Sequence, residues 1–263
     1  MDKPQECYIA FLDIMGFAGF VTNETPEIVQ EYLTNFITIA NGLNKSGFAY
    51  DIKIFSDCIV ISTPIQDKMI DFHEFLLYIN WLLLANIVES SLGRLPLRGA
   101  ITRGSYYTDE KDLTFGKALV KAHEIESQLA CYPRIIVNPN DLQPEVVRQS
   151  TERVHYAFLQ AGLNKKAEGG LKPFNEYTHS VRRDFDGLLH CNYLSCLQNY
   201  DGSWIDDFEM YILKHKEFTV KNLEKSSSHK HSTKYNWIKT YHNWFCSGFR
   251  NLHDYSIISK ITT

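Results

Sequence analysis

The sequence predicts an α+β fold: a ferredoxin-like βαββαβ core with an antiparallel sheet, followed by a mixed, mainly helical C-terminal extension. Three observations predict it. The first hundred residues alternate β-rich runs and helical apolar spacing in the order β-α-β-β-α-β; two of the β-rich runs meet at a short polar break, Ser56-Asp57; and helical spacing dominates the last sixty residues. The division is a core over 1–145 and a strand-and-helix extension over 146–263, packed on the core.

Taken in order, residues 7–13 read as a strand. "TPEIVQEYLTNFITIANGL" then sets Ile28, Tyr32, Phe36 and Ile39 on one helical face, with Thr25 as cap, Pro26 in the first turn and Gly42 near the stop. "YDIKIFSDCIVIS" is a hairpin, and a long apolar helix follows over roughly 69–91. "LPLRGAITRGSYY" is a further strand whose Gly99 and Gly104 mark bulges or close backbone approach. In the second half, Asp186-Gly187 is a turn leading into a strand. "SWIDDFEMYILKHKEFTVKNL" and "STKYNWIKTYHNWF" are helices, each opening on a Ser cap, with "EKSSSHKH" as an exposed linker between them. Trp237, Tyr241, Trp244 and Phe245 form a stripe on the second helix that reads as core.

Composition narrows the function classes. At 44% hydrophobic and 22% charged the 263 residues are ordinary globular material, and a formal charge of −4 argues against a nucleic-acid coat or an anionic-membrane binder. The most apolar run, residues 75–88, holds Asn80 and Asn86 and falls short of the ~20 residues that a membrane span needs. Six cysteines without a CxxC pair, behind a start that is not signal-like, read as reduced thiols of a cytoplasmic protein. The "HKH" at 229–231 reads as solvated loop, since zinc-ligand spacing is missing.

One pair of residues stands out. In a βαββαβ sheet the first strand lies beside the third, so Asp13, ending strand one, and Asp57, opening strand three, lie side by side. Adjacent carboxylates repel unless one is protonated or a cation sits between or beside them. With hard oxygen ligands, Mg²⁺ or Mn²⁺ is the expected cation; the other reading is two independent turn aspartates.

The segments "FLDIMGFAGF", "IKIFSDCIVIS", "LRGAITRGSYY" and "FGKALVKAHEIE" resemble, in order and spacing, the class III nucleotidyl cyclase domain over roughly residues 5–140. Within it the chain looks most like the bacterial pyrimidine cyclases of anti-phage (Pycsar) signalling, which make cyclic UMP or cyclic CMP. The resemblance implies a UTP cyclase using two Mn²⁺ or Mg²⁺ ions, held by Asp13, Asp57 and the carbonyl of Ile14. It implies that Gly16 and Phe17 offer backbone N–H groups to the triphosphate, and that Arg98 contacts the phosphate tail, the alternative for Arg98 being a strand-edge ion pair. Lys53 stands at a base-reading position and Tyr50 is a candidate for base specificity, although strand alternation points the two to opposite faces. A homodimer with composite active sites, and a downstream cyclic-nucleotide-responsive effector, are implied as partners.

The chain also departs from that family. Where purine cyclases carry Asn and Arg for the transition state, this sequence has Val120 and Glu124; Arg103, Lys117 and Lys121 are the candidate replacements, Lys117 and Lys121 sharing a helical face. The acidic base-reading partner is replaced by Leu113. The alternatives to UTP cyclisation are CTP cyclisation or a nucleotide-binding module without turnover. His73 and His123 are read as structural rather than as bases.

Overall fold

The structure, a computed structural model, describes residues 4–43, 50–66, 70–89, 95–109, 113–138, 179–199, 203–226 and 228–257. The boundary expected at 145/146 lies outside the described residues. The first part comprises β1 (Gln5–Ile14), α1 (Phe17–Asn23), α2 (Pro26–Leu43), β2 (Asp51–Phe55), β3 (Cys58–Pro64), α3 (Ile70–Val88), β4 (Leu97–Thr108), β5 (Thr114–Phe115), α4 (Lys117–Leu129) and β6 (Ile135–Val137). Then come β7 (Val181–Arg183), β8 (Leu189–Cys191), a 3₁₀ segment (Tyr193–Leu197), α5 (Phe208–Lys225), α6 (His229–Ser247) and a second 3₁₀ segment (Arg250–Tyr255).

The predicted βαββαβ order is realised as an open, mostly antiparallel sheet. β1 runs antiparallel between β3 and β4, and β2 pairs the far edge of β3 across a two-residue turn at Ser56-Asp57. β6 adds parallel to β4, and the β7–β8 hairpin continues the same sheet, giving the order β2-β3-β1-β4-β6-β8-β7 with β5 beside β4. Residues 181–191 therefore extend the same sheet.

Alternation along β1 sorts the interior into two sides. Tyr8, Ala10, Leu12 and Ile14 enter a large core with α2 and α3, whereas Cys7, Ile9 and Phe11 meet Ala118 and Ala122 of α4 on the other side. Helices thus cover both faces, where the sequence led us to expect one. The reason is the small-residue stripe of α4, which lets it lie close over β1 and β4, with Thr102 Oγ1 donating to the Ala118 carbonyl at 2.9 Å. The short α1, not foreseen, follows Gly16, whose φ of 88° turns the chain out of β1.

α3 is apolar on nearly every side because it is wrapped, by the sheet and α2 on one side and by α5 and the first 3₁₀ segment on the other. Its two buried asparagines each donate to a backbone carbonyl, Asn80 to Ser180 at 2.9 Å and Asn86 to Leu95 at 2.7 Å. Among the described residues no helix is long and apolar enough to cross a membrane, and all six cysteines are free thiols.

The glycine reading of β4 holds at Gly99, where the strands approach closely: a Cβ there would run into the Phe11 carbonyl oxygen of β1. Gly99→Ala should lower stability by about 3 kcal/mol, because rigid backbone must move to admit the methyl. Urea denaturation measures this; an unchanged midpoint would mean that β1 and β4 can separate freely there.

In the second half Gly187, at φ 82°, closes the β7–β8 hairpin as expected. The aromatic stripe of α6 is core: Trp237, Tyr241 and Phe245 are buried, with Trp237 Nε1 donating to Asp184 Oδ2 at 2.7 Å and Tyr241 to Asn192 Oδ1 at 2.7 Å. Arg134, fully buried just before β6, pairs with both Asp184 and Asp186 of the hairpin turn, tying the extension to the core. Two details differ from the sequence reading. α5 starts at Phe208 after Asp207 (φ 58°), not at Ser203, and "HKH" forms the first turn of α6 under a Ser228 cap whose side chain accepts from the His231 N–H. For α6 the Ser228 cap on the His231 N–H starts the helix about two turns before its buried stripe begins at Trp237.

Candidate active site

The register of three strands and the position of one helix build the site. Asp13, at the end of β1, lies on the α4 face in line with Ile9 and Phe11. Its direct cross-strand neighbours are Cys58 on β3 and Arg98 on β4, so their side chains project on the same side. Asp57 comes from the adjoining hairpin turn, whose Ser56 takes φ 59°, and the Asp57 carbonyl accepts the Ile14 N–H at 2.8 Å. Asp13, Asp57 and Cys58 each offer a ligand atom within 4.8 Å of the others.

From above, α4 adds Glu126, on the Ala118 and Ala122 stripe and only 5% exposed. Arg98 lies between the acids. Its Nε donates to Asp13 Oδ2 at 2.7 Å, its Nη1 to the Ala130 carbonyl at 3.3 Å, and its Nη2 lies 3.0 Å from Glu126 Oε1, an ion pair without hydrogen-bond alignment. The ion pair is the alternative that the sequence left open for Arg98. Electrostatically the pocket is acidic: burial, then the carboxylates of Asp57, Asp13 and Glu126, push the Cys58 thiol up to about 11. Burial raises the Glu126 carboxyl above its ordinary range, against the pull of Arg98.

The oxygen donors fit a divalent cation: two carboxylates from different elements converge on one point, and a protonated thiol beside them is a weak competitor for a hard ion. Asp13 and Asp57 are the side chains that would hold it.

The other sequence candidates distribute unevenly. Gly16 and Phe17 follow β1 after Met15, with Gly16 as the N-terminal flank of α1 and Phe17 buried. Lys53 pairs with Val60, which places it on the Asp13 face of the sheet, its Nζ 3.8 Å from Asp51 Oδ1. Tyr50 goes to the opposite side, its ring stacked on Tyr78 of α3 at 4.1 Å between centroids within the large core. Arg103 is paired with Tyr8, a residue of that same core side, so the register directs it away from Arg98 and Asp13. Alternation decides both cases: a strand separates neighbours of odd and even number. On α4, Lys121 is half-buried and Lys117 exposed, while Val120 (59% exposed) and Glu124 face solvent. Leu113 is likewise exposed.

Cys58 and Glu126 were missed by the sequence reading. Glu126 did leave a signal, an acid at i+4 and i+8 from the alanines of an amphipathic helix, where a buried charge demands a partner. Cys58 left none beyond adjacency to Asp57.

No protein-family model and no curated protein matches the chain. Among solved structures it is similar to the adenylyl cyclase CyaB from P. aeruginosa, at 17% identity over 56% of this chain and 82% of that one, with a TM-score of 0.46. It is similar to the guanylate cyclase domain of RhGC from Catenaria anguillulae in complex with GTP, at 12% identity over 72% and 96%, TM-score 0.45. A third is the non-canonical dimeric guanylyl cyclase domain of the RhoGC fusion protein from Blastocladiella emersonii, at 14% identity over 52% and 81%, TM-score 0.43. Each is a similarity of fold and says nothing of what this chain binds or makes.

Proposed function

We propose that this protein is a metal-dependent pyrimidine nucleotide cyclase that converts UTP into 3′,5′-cyclic UMP and pyrophosphate, as a second-messenger synthase of bacterial anti-phage defence. The observation that carries the reading is the convergence of Asp13 and Asp57, from two elements, at one end of the sheet. The four cyclase-like segments supply the substrate class. In the reaction the ribose 3′-oxygen bonds to the α-phosphorus, the bond to the bridging oxygen breaks, pyrophosphate leaves, and the hydroxyl proton passes to solvent. A divalent pair bound at Asp13 and Asp57 would supply acidity to the hydroxyl and counter-charge to the triphosphate.

The chain's own groups provide position and charge. Asp13, Asp57 and the Ile14 carbonyl hold the cations, Gly16 and Phe17 present backbone N–H groups to the phosphates, and Lys53 reaches the base from the same face. Arg98 adds a fixed cation beside the phosphate tail. Lys121 is the candidate for transition-state charge, Arg103 being carried to the other face by the register, and a second copy of the chain, apposed to the exposed face of α4, would complete each site in a cytoplasmic homodimer. A cyclic-nucleotide-responsive effector would read the product.

Two observations favour a second reading, a nucleotide-binding module without turnover: Val120 and Glu124 cannot donate to a pentavalent phosphorus, and Arg98 already neutralises Asp13. The deciding experiment incubates the purified protein with Mn²⁺ and ATP, GTP, CTP or UTP separately and identifies products by mass spectrometry. Cyclic UMP from UTP, absent with Asp57→Ala, is the expected result. Cyclic CMP alone would move the assignment to a cytidylate cyclase, a cyclic purine nucleotide would refute pyrimidine specificity, and no product from any nucleotide would favour the binding module.

A further inference from the structure

We propose that Glu126 is a positioning residue for the candidate metal site: from the buried side of α4 it clamps the Arg98 guanidinium across Asp13 and so sets which Asp13 oxygen is offered to a cation. The inference rests on the metal reading of Asp13 and Asp57. Three nitrogens of Arg98 are engaged, each by a different element: Nε by Asp13 on β1, Nη1 by the Ala130 carbonyl after α4, and Nη2 by Glu126 on α4. Two hydrogen bonds and one ion pair, from three directions, restrain the guanidinium plane, so Asp13 Oδ2 is committed to it and Oδ1 is the oxygen left for a cation.

Glu126 is what keeps the guanidinium there. It is more deeply buried than Asp13 or Arg98, whose side chains are 17% and 32% exposed, and it sits on the rigid stripe of α4 that packs against β1. It also corrects the charge. Arg98 alone would repel a divalent ion from Asp13; with Glu126 neutralising Arg98, the pair Asp13 and Asp57 presents two net negative charges, which matches one divalent cation. Removing the Glu126 charge leaves Asp13 alone to neutralise the Arg98 guanidinium, so the two aspartates present one net negative charge instead of two.

The test is Mn²⁺ binding without nucleotide, followed by the electron paramagnetic resonance of the free ion, in wild type, Glu126→Gln and Arg98→Lys. Glu126→Gln keeps the shape of the side chain, so the fold survives. Affinity should fall about tenfold, the lower end for groups that orient a metal ligand, and the double variant should lose less than the two single losses combined. An independent readout needs no metal: the Arg98 Nε–H proton should exchange slowly in wild type and rapidly in Glu126→Gln. Unchanged Mn²⁺ affinity together with an unchanged Nε–H exchange rate in Glu126→Gln overturns the positioning role while leaving the metal site standing. If wild type itself binds no Mn²⁺, or binds it equally well with Asp57→Ala, the metal reading fails and this inference falls with it.

Discussion

Replacing Asp57 with alanine is expected to reduce nucleotide turnover by about a thousandfold or more, because the cation held there is asked for several kcal/mol of barrier lowering and each 1.36 kcal/mol is tenfold. The fold should be untouched. Asp57 contributes to the turn through its backbone carbonyl, which accepts the Ile14 N–H whatever the side chain, and among the described residues its carboxylate lies beside Cys58, 3.8 Å away, and the repelling Asp13. Asp13→Ala should be equally inactive yet less stable, by about 1 kcal/mol, since it strips the Arg98 Nε of its partner in a half-exposed ion pair. Steady-state rates with UTP and thermal unfolding, run on the same preparations, check both statements. Wild-type turnover in either variant would end the two-carboxylate proposal.

The second large effect is on stability against acid. Five described histidines are pushed below their ordinary range chiefly by burial: His73, His179, His190 and His242 to about 4, and His215 downward with His242 as a further cause. The pair His215 and His242, between α5 and α6, shows why. The Tyr255 carbonyl can only accept, so His242 Nε2 carries its proton at 3.1 Å and His242 Nδ1 is an acceptor. His215 Nδ1, 3.0 Å from it, must then donate, which leaves His215 Nε2 to accept from the Tyr193 hydroxyl at 2.9 Å. Adding a proton to His242 Nδ1 sets it against the His215 Nδ1–H in a buried interface, with Lys216 nearby adding to the penalty, while a proton added to His215 Nε2 displaces the hydrogen bond donated by Tyr193 and leaves a buried charge. A histidine whose folded value is depressed leaves the unfolded chain holding more protons between about pH 6.5 and 4, so stability is complete above 6.5 and is lost as the pH falls, by about 1.4 kcal/mol per unit for each group. Five such groups together remove on the order of 10 kcal/mol within two units, comparable to a total stability of about 5–15 kcal/mol. Cooperative unfolding with a midpoint near pH 5, followed by circular dichroism, is the expected result; a chain still folded at pH 4 would mean that these rings accept protons in place.

Legibility in the sequence followed the range of the interaction. Asp13 and Asp57 were legible because their proximity depends on only two things, a two-residue turn at Ser56-Asp57 and a strand order common to βαββαβ sheets. Tyr50 and Lys53 were half legible, since alternation separated their faces without saying which face held the site. Glu126 and Cys58 became site residues only when α4 and β3 were laid beside β1. The start of α6 was misplaced by a few residues, because Ser228 and Ser232 are both possible local caps by residue type and the structure uses Ser228.

By itself, then, the sequence determined the element order of the core, the hairpin turn, the buried aromatic stripe of α6 and the pairing of the two aspartates, all of which follow from periodicity and turn chemistry within a few residues. Tertiary structure alone decided that α4 covers the second face of the sheet, that β7 and β8 extend the same sheet, and that Arg98 is held between Asp13 and Glu126. The physical reason is that a side chain's charge partner is set by distance in space, and Arg98 lies 85 positions from Asp13 along the chain but directly opposite it across one pair of strands.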